Sequence, residues 1–304
     1  MLNATSAIVF IVIFALEAAV IIIGNVFTIV VFKTQPRLHL KRTCLLLINL
    51  AVADLLVGVG EVAVLIIHKI PETGDGSLSA SWAFQAFGSC LSVMFLALIS
   101  LERVYAVFRP LRHRVTSARA YIFSIVIVWV AGLCIGGLSL LAVYHPKVDT
   151  VYALATGDVL LFFCLVIICA SYLSIRSRLY TTSPELQVPH SRSSRDQNLR
   201  LSKTFYIVVA VSLIFWLPGF VVYGLREFCF QCFPPMLLLI VSALHLANSM
   251  VNPFVYSFRM NVFKDAWKKC LKKRWETSEL RSASLRVENE PQDLTAHLQM
   301  ETLD

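Results

Sequence analysis

The chain has 304 residues, of which 57% are hydrophobic and 15% charged, and a formal net charge of +8. Soluble domains run nearer roughly 45–50% apolar and about 25% charged, so a soluble domain is excluded. The basic residues alternate by loop instead of gathering in a folded domain, which argues against a nucleic-acid partner. The apolar excess lies in long blocks, and these predict an all-α protein: a seven-transmembrane helix bundle over 8–258, followed by a short amphipathic helix on the bilayer surface.

Residues 1–7 form the expected extracellular N-terminus, and Asn3-Ala4-Thr5 is an acceptor sequon for N-glycosylation or a chance match. No basic stretch precedes the first apolar run, so the first span, 8–32, is expected to serve as its own insertion signal. It carries Glu17 and Asn25, and the loop after it holds Lys33, Arg37, Lys41 and Arg42, which places that loop in the cytoplasm. The second span, 43–68, contains Asp54 near its middle and Glu61 beyond it. A short outer turn is expected over 69–79.

The third span starts near Ser81 and ends at Glu102-Arg103, with Pro110 expected to stop the helix. At helical spacing Gln85, Ser89, Ser92, Leu96, Ile99 and Arg103 share one face. A polar stripe is hidden from lipid, so this helix should sit inside the bundle. The fourth span covers 120–143, with glycines at 132–137 that permit close helix approach. The fifth covers 151–175 and includes Asp158 and Tyr172.

Residues 176–203 are polar and basic and predict a flexible inner loop, with SRSSR at 191–195 as a kinase target or a plain linker. Pro218 kinks the sixth span, 204–225. Cys229 and Cys232 share the next short loop and are placed for a local disulfide if that loop is extracellular. In the seventh span, 234–258, His245, Asn248, Ser249, Asn252 and Tyr256 share a face, and Pro253 supplies a second kink. Residues 259–274 alternate apolar residues with lysines and predict the amphipathic surface helix, on which Cys270 is a palmitoylation candidate. Residues 275–304 are expected to be a disordered cytoplasmic tail.

A carboxylate deep in the bilayer needs partners. Asp54, facing the hydroxyl of Ser92 and the amides of the seventh span, suits a small hard cation such as Na⁺ or a proton relay; a hydrogen-bonded buried carboxyl without an ion is the alternative. A secondary transporter is a competing reading, but the inverted repeats it needs are not visible. Paired catalytic groups are also missing, so an enzyme is not expected.

The chain resembles the rhodopsin-like (class A) G-protein-coupled receptors over roughly 8–274. The residues that carry the likeness are Gly24-Asn25, LAVAD ending at Asp54, Glu102-Arg103 with Pro110-Leu111, Trp129, Tyr172, Phe215-Trp216-Leu217-Pro218 and Asn252-Pro253-Phe254-Val255-Tyr256. The resemblance implies a receptor that senses a small polar molecule or a peptide and activates a heterotrimeric G protein by outward movement of the sixth helix. It implies a plasma-membrane location and, at the tail, a receptor kinase and arrestin. Asp54, Ser92, Asn248, Ser249 and Asn252 would form a sodium pocket, with no other cofactor. Trp216 would be the toggle beneath the ligand. Arg103 would be held by Glu102 at rest, then swing towards the G protein alongside Tyr172 and Tyr256, while Leu111 docks into the G-protein surface and Pro218 and Pro253 allow the helices to move.

Glu61, Gln85, Ser89, Trp216, Phe220, Tyr223, Ser242 and His245 are expected to line the outer cavity, giving it an acidic side. The family's helix-3 carboxylate for amines is replaced by Gln85, and its retinal lysine by Leu246, so neither a typical amine receptor nor a retinal protein is expected. Val104 stands where the family has tyrosine. The acidic lock residue of the sixth helix would fall near Asn198, and its absence predicts raised basal activity. The usual helix-3 disulfide cysteine would fall at Leu78, and Cys164 replaces the helix-5 proline. The missing disulfide and helix-5 proline, with a very short second outer loop over 144–150 and a Cys-rich third outer loop, resemble the melanocortin, lysophospholipid, cannabinoid and adenosine grouping, with melanocortin receptors nearest.

Overall fold

A computed structural model describes residues 4–34, 42–68, 75–145, 150–181, 192–226, 229, 232–260, 263–266 and 268. The described residues are helical apart from short joints. The described residues include seven long helices, α1 (Ala4–Thr34), α2 (Arg42–His68), α3 (Asp75–Phe108), α5 (Ala118–Tyr144), α6 (Thr150–Thr181), α7 (Arg192–Arg226) and α8 (Pro235–Arg259), with a short helix, α4 (Pro110–Val115), between α3 and α5. Six of the long helices carry a stretch long and apolar enough to cross a membrane, and α7 has a shorter one over Ala210–Leu225. The chain divides into two compact units, Met1–Met260 and Asn261–Asp304.

Within the first unit α3 touches α2, α5, α6 and α7, while α1 packs on both α2 and α8 and so closes the ring. In its membrane stretch 61% of α3 is buried, against 17% for both α1 and α5, which makes α3 the central helix. The peripheral helices turn apolar side chains outwards, such as Ile8, Leu16 and Ile23 of α1 and Ile122, Phe123 and Leu133 of α5. With no water to avoid in a bilayer, such faces carry no penalty there.

Two glycines set the α2–α3 approach. A Cβ on Gly88 of α3 would lie 2.9 Å from the Val57 nitrogen of α2, and one on Gly60 of α2 would lie 3.0 Å from the Gln85 Cα of α3. Each helix offers a bare backbone to the other, and this brings their polar side chains within hydrogen-bonding reach. Gly24 of α1 lies against the Pro253 ring of α8 in the same way. Pro218 and Pro253 both lie inside their helices, where each removes one backbone donor.

Several boundaries differ from the sequence-based expectation. α1 begins at Ala4, so the expected N-terminal segment 1–7 is partly helical. The turn expected over 69–79 is helical from Asp75. The inner loop expected over 176–203 is helical at both ends, because α6 runs to Thr181 and α7 begins at Arg192. Polar, basic residues read as loop when only hydropathy is weighed, yet Arg, Gln, Leu and Lys are good helix formers. Pro110 stops α3 at Phe108 but also starts α4, where a missing N–H at the first helical position costs nothing. Asn3, Cys270 and the tail 275–304 lie outside the described residues, as does most of 259–274, of which 263–266 and 268 are helical.

Candidate functional site

The polar stripe read from α3 is buried along its whole length: Gln85, Ser89, Ser92, Leu96, Ile99 and Arg103 are each no more than 8% exposed. At its middle Ser92 Oγ donates to Asp54 Oδ1 across 2.7 Å, and from the other side Asn252 Nδ2 of α8 donates to Asp54 Oδ2 across 2.9 Å. Asp54 is completely buried. Asn25 of α1 joins the group by donating to the backbone carbonyls of Ile21 at 2.9 Å and Ser249 at 3.2 Å. Asn25 Oδ1 and both amide atoms of Asn248 are buried without a hydrogen-bond partner. Among the described residues Asp54 is hydrogen-bonded by neutral side chains, and a buried carboxylate with hydroxyl and amide oxygens around it is the hard donor set that small cations need.

At the Arg103 end the buried guanidinium makes two hydrogen bonds to the neighbouring Glu102, from Nε to Oε2 and from Nη2 to Oε1. The sequence did not identify what else holds this pair. Thr43 of α2 donates to Glu102 Oε1 across 3.0 Å and accepts from Arg103 Nη2 across 2.8 Å. His113 Nε2 of α4 lies 2.7 Å from the same Glu102 oxygen, and the Tyr121 hydroxyl of α5 donates to it across 3.3 Å. Three elements therefore converge on one carboxylate. The Tyr256 side chain is buried and packs edge-on to Phe32 at 6.4 Å between ring centroids. Tyr172 is half-buried, with Arg176 of its own helix donating to its hydroxyl at 3.5 Å. Leu111 is 77% exposed on α4.

Towards the other end of the bundle Gln85 donates its amide hydrogen to Glu61, and both side chains are buried. Ser89 is buried one helical turn below. Trp216 is buried against the His245 ring, with 4.0 Å between ring centroids, and Trp216 Nε1 and His245 Nε2 have no hydrogen-bond partner. Nearby, the hydroxyls of Tyr223 and Ser242 are 2.7 Å apart and join α7 to α8, while Phe220 stacks on Phe162 of α6 at 6.0 Å. Cys229 and Cys232 are joined as a disulfide between α7 and α8. Hydrogen bonds thus join part of the sequence-based set into three clusters, Asp54–Ser92–Asn252, Glu102–Arg103 and Glu61–Gln85. A further link, Trp129 Nε1 of α5 donating to Asn49 Oδ1 of α2 across 2.9 Å, gives Trp129 a partner that its sequence neighbourhood does not signal.

The family description "7 transmembrane receptor (rhodopsin family)" matches residues 24–256, the greater part of the chain. The chain belongs to the rhodopsin family of seven-transmembrane receptors. It is therefore a membrane receptor and not an enzyme, and the transporter reading loses its support. Among curated relatives it is 25% identical over 302 residues to the octopamine receptor beta-1R of Drosophila melanogaster, covering 83% of this chain and 59% of that receptor's length. It is 27% identical over 281 residues to the histamine H2 receptor of Homo sapiens, covering 81% of this chain and 74% of the relative. With the adenosine receptor A3 of Canis lupus familiaris it shares 25% identity over 280 residues, 81% of this chain and 85% of the relative. The adenosine receptor falls within the grouping expected from the sequence, whereas the octopamine and histamine receptors fall outside it.

Proposed function

We propose that this receptor sits in the plasma membrane with its N-terminus outside, binds a small polar ligand or peptide between α2, α3, α7 and α8, and activates a heterotrimeric G protein through its Arg103 end. The observation that carries the reading is the Glu102–Arg103 pair: a buried guanidinium is fixed to its neighbouring carboxylate and lies at the end of a polar column that begins at Glu61 and Gln85. Arg103 is held at rest and released when α7 swings outwards about Pro218. Leu111, exposed on α4, is the apolar contact offered to the G protein, with Tyr172 and Tyr256 receiving the freed arginine. The distribution of Lys and Arg supports a cytoplasmic position for this end.

Glu61 is the anionic anchor of the ligand site, and Gln85 occupies it in the absence of a ligand cation. Ser89, Trp216, Phe220, Tyr223, Ser242 and His245 form the walls. A ligand shifts the switch only through its differential affinity for the two states, and the Trp216–His245 stack is where that difference is felt. The octopamine and histamine relatives favour a ligand carrying an ammonium group, met here from α2 in place of α3. Asp54, Ser92, Asn248, Ser249 and Asn252 would hold a sodium ion that stabilises the resting state. Receptor kinase and arrestin are the expected partners of the tail.

The test is guanine-nucleotide exchange on purified heterotrimers by the receptor in nanodiscs, screened with amines, nucleosides and short peptides. Stimulation by at least one class, abolished in Arg103→Ala, is the expected result; a hit that signals equally well through Arg103→Ala refutes the reading.

A further inference from the structure

We propose that His113 is a positioning residue of the switch: it is the counter-ion that stays with Glu102 when Arg103 leaves, so that a proton on His113 favours the active state. This inference rests on the reading of Arg103 as the moving group.

The geometry around Glu102 carries it. Thr43, His113 and Tyr121 all reach Glu102 Oε1, at 3.0, 2.7 and 3.3 Å, and the Tyr121 hydroxyl is itself 3.1 Å from His113 Nε2. These residues lie on α2, α4 and α5, whereas the helices with internal prolines are α7 and α8. The cradle is therefore built on elements that the swing of α7 leaves in place. Glu102 is 6% exposed, so losing Arg103 would leave a buried carboxylate without a cation, an expensive state. Of the three remaining partners among the described residues only the imidazole can supply a positive charge.

The sign follows from counting cations on one carboxylate. At rest a protonated His113 and Arg103 would compete for Glu102 and repel each other. After Arg103 departs, protonated His113 and Glu102 form a neutral, hydrogen-bonded pair. Proton uptake at His113 and release of Arg103 thus help each other, and the coupling is reciprocal. The imidazole side chain is 19% exposed, so it can exchange protons with the solution bathing this end. The titratable and charged groups facing it are Glu102, Arg103 and Tyr105 of α3, the last with rings 5.9 Å apart, and Tyr121 of α5. Arg109, Arg112 and Arg114 flank it in the chain, and Arg178 of α6 lies over Phe108 at 5.9 Å.

The experiment uses the full chain in nanodiscs, where both faces meet the buffer, without ligand. A spin-label pair at Arg119 of α5 and near residue 198 of α7 reports opening of this end, and basal nucleotide exchange on purified heterotrimers is read in parallel. Lowering the pH from about 7.5 to about 6.0 is expected to raise the open population roughly threefold in the wild type. His113→Gln should remove that response, and His113→Lys should give a raised, pH-independent open population. An unchanged pH response in His113→Gln, or closure on acidification, overturns the proposal. If no variant stimulates nucleotide exchange while the label distance still responds to pH through His113, it is the G-protein reading that fails and the role of His113 that stands.

Discussion

Asn252 of α8 donates its amide hydrogen to Asp54 of α2 across 2.9 Å, although the two residues are 198 positions apart in the chain. This bond fixes α8 to α2 one residue before Pro253, on the same helix that carries Ser242 and His245, the proposed ligand walls. Because Ser92 of α3 holds the other oxygen of Asp54, a single carboxylate ties three helices together at mid-bundle. A movement of α8 that displaces Asn252 must break or carry that bond.

The first prediction concerns sodium. If Asp54 with the orphaned oxygens of Asn25 and Asn248 binds Na⁺, replacing Na⁺ by choline should lower the melting temperature of the purified receptor by roughly 5 °C, as expected when a ligand of the folded state is withdrawn. In Asp54→Asn the difference should vanish. A sodium effect that persists in Asp54→Asn would place the ion elsewhere.

Helix packing gives the second prediction. Gly88→Ala puts a methyl group 2.9 Å from the Val57 nitrogen and 3.1 Å from the Leu56 carbonyl carbon, both backbone atoms that cannot step aside. A loss of about 1–3 kcal/mol is expected. Gly137→Ala is the matched control, since nothing lies within 4 Å of its Cβ. That change should be neutral or stabilising by up to about 1 kcal/mol, because alanine is the better helix former. Thermal unfolding in detergent compares the two.

The third prediction tests the anionic anchor. For any cationic agonist found by screening, Glu61→Gln should weaken binding at least tenfold, or about 1.4 kcal/mol, by removing the charge while keeping the partner of Gln85. A neutral agonist should lose much less. Competition binding on membranes measures both, and equal losses would show that Glu61 only supports the fold.

Much of this was legible in the chain itself. Seven apolar blocks gave the helices, and the polar stripes of α3 and α8 turned out to be the buried faces because a bilayer leaves polar groups nowhere else to go. The tiers Asp54–Ser92–Asn252 and Glu61–Gln85 follow from such stripes meeting across a close contact. The sequence did not reveal the cradle of Glu102. Thr43, His113 and Tyr121 come from three separate elements, none with a periodic or charged pattern that points at α3, and α4 is too short at six residues to show a hydrophobic period. The inner ends of α6 and α7 were missed for the opposite reason: their composition is that of a solvated loop, although Arg, Gln, Leu and Lys are good helix formers.

The cradle also bears on basal activity. With Asn198 at the place of the family's acidic lock residue, the contacts that hold Arg103 among the described residues include those to Glu102 and Thr43. Thr43→Val removes one donor to Glu102 and one acceptor for Arg103, so basal nucleotide exchange should rise roughly threefold to tenfold, from a loss of about 1 kcal/mol. Exchange at the wild-type level in Thr43→Val would show that Glu102 alone suffices.

The most direct test of the account is basal and agonist-stimulated nucleotide exchange in Glu102→Gln and Arg103→Ala, measured side by side in the same nanodiscs. Glu102→Gln, which loosens the arginine without removing it, should raise basal exchange roughly tenfold, and Arg103→Ala should silence both basal and stimulated exchange while leaving agonist binding intact. Full stimulation through Arg103→Ala, or an unchanged basal rate in Glu102→Gln, would contradict the claim that release of this arginine is the switch.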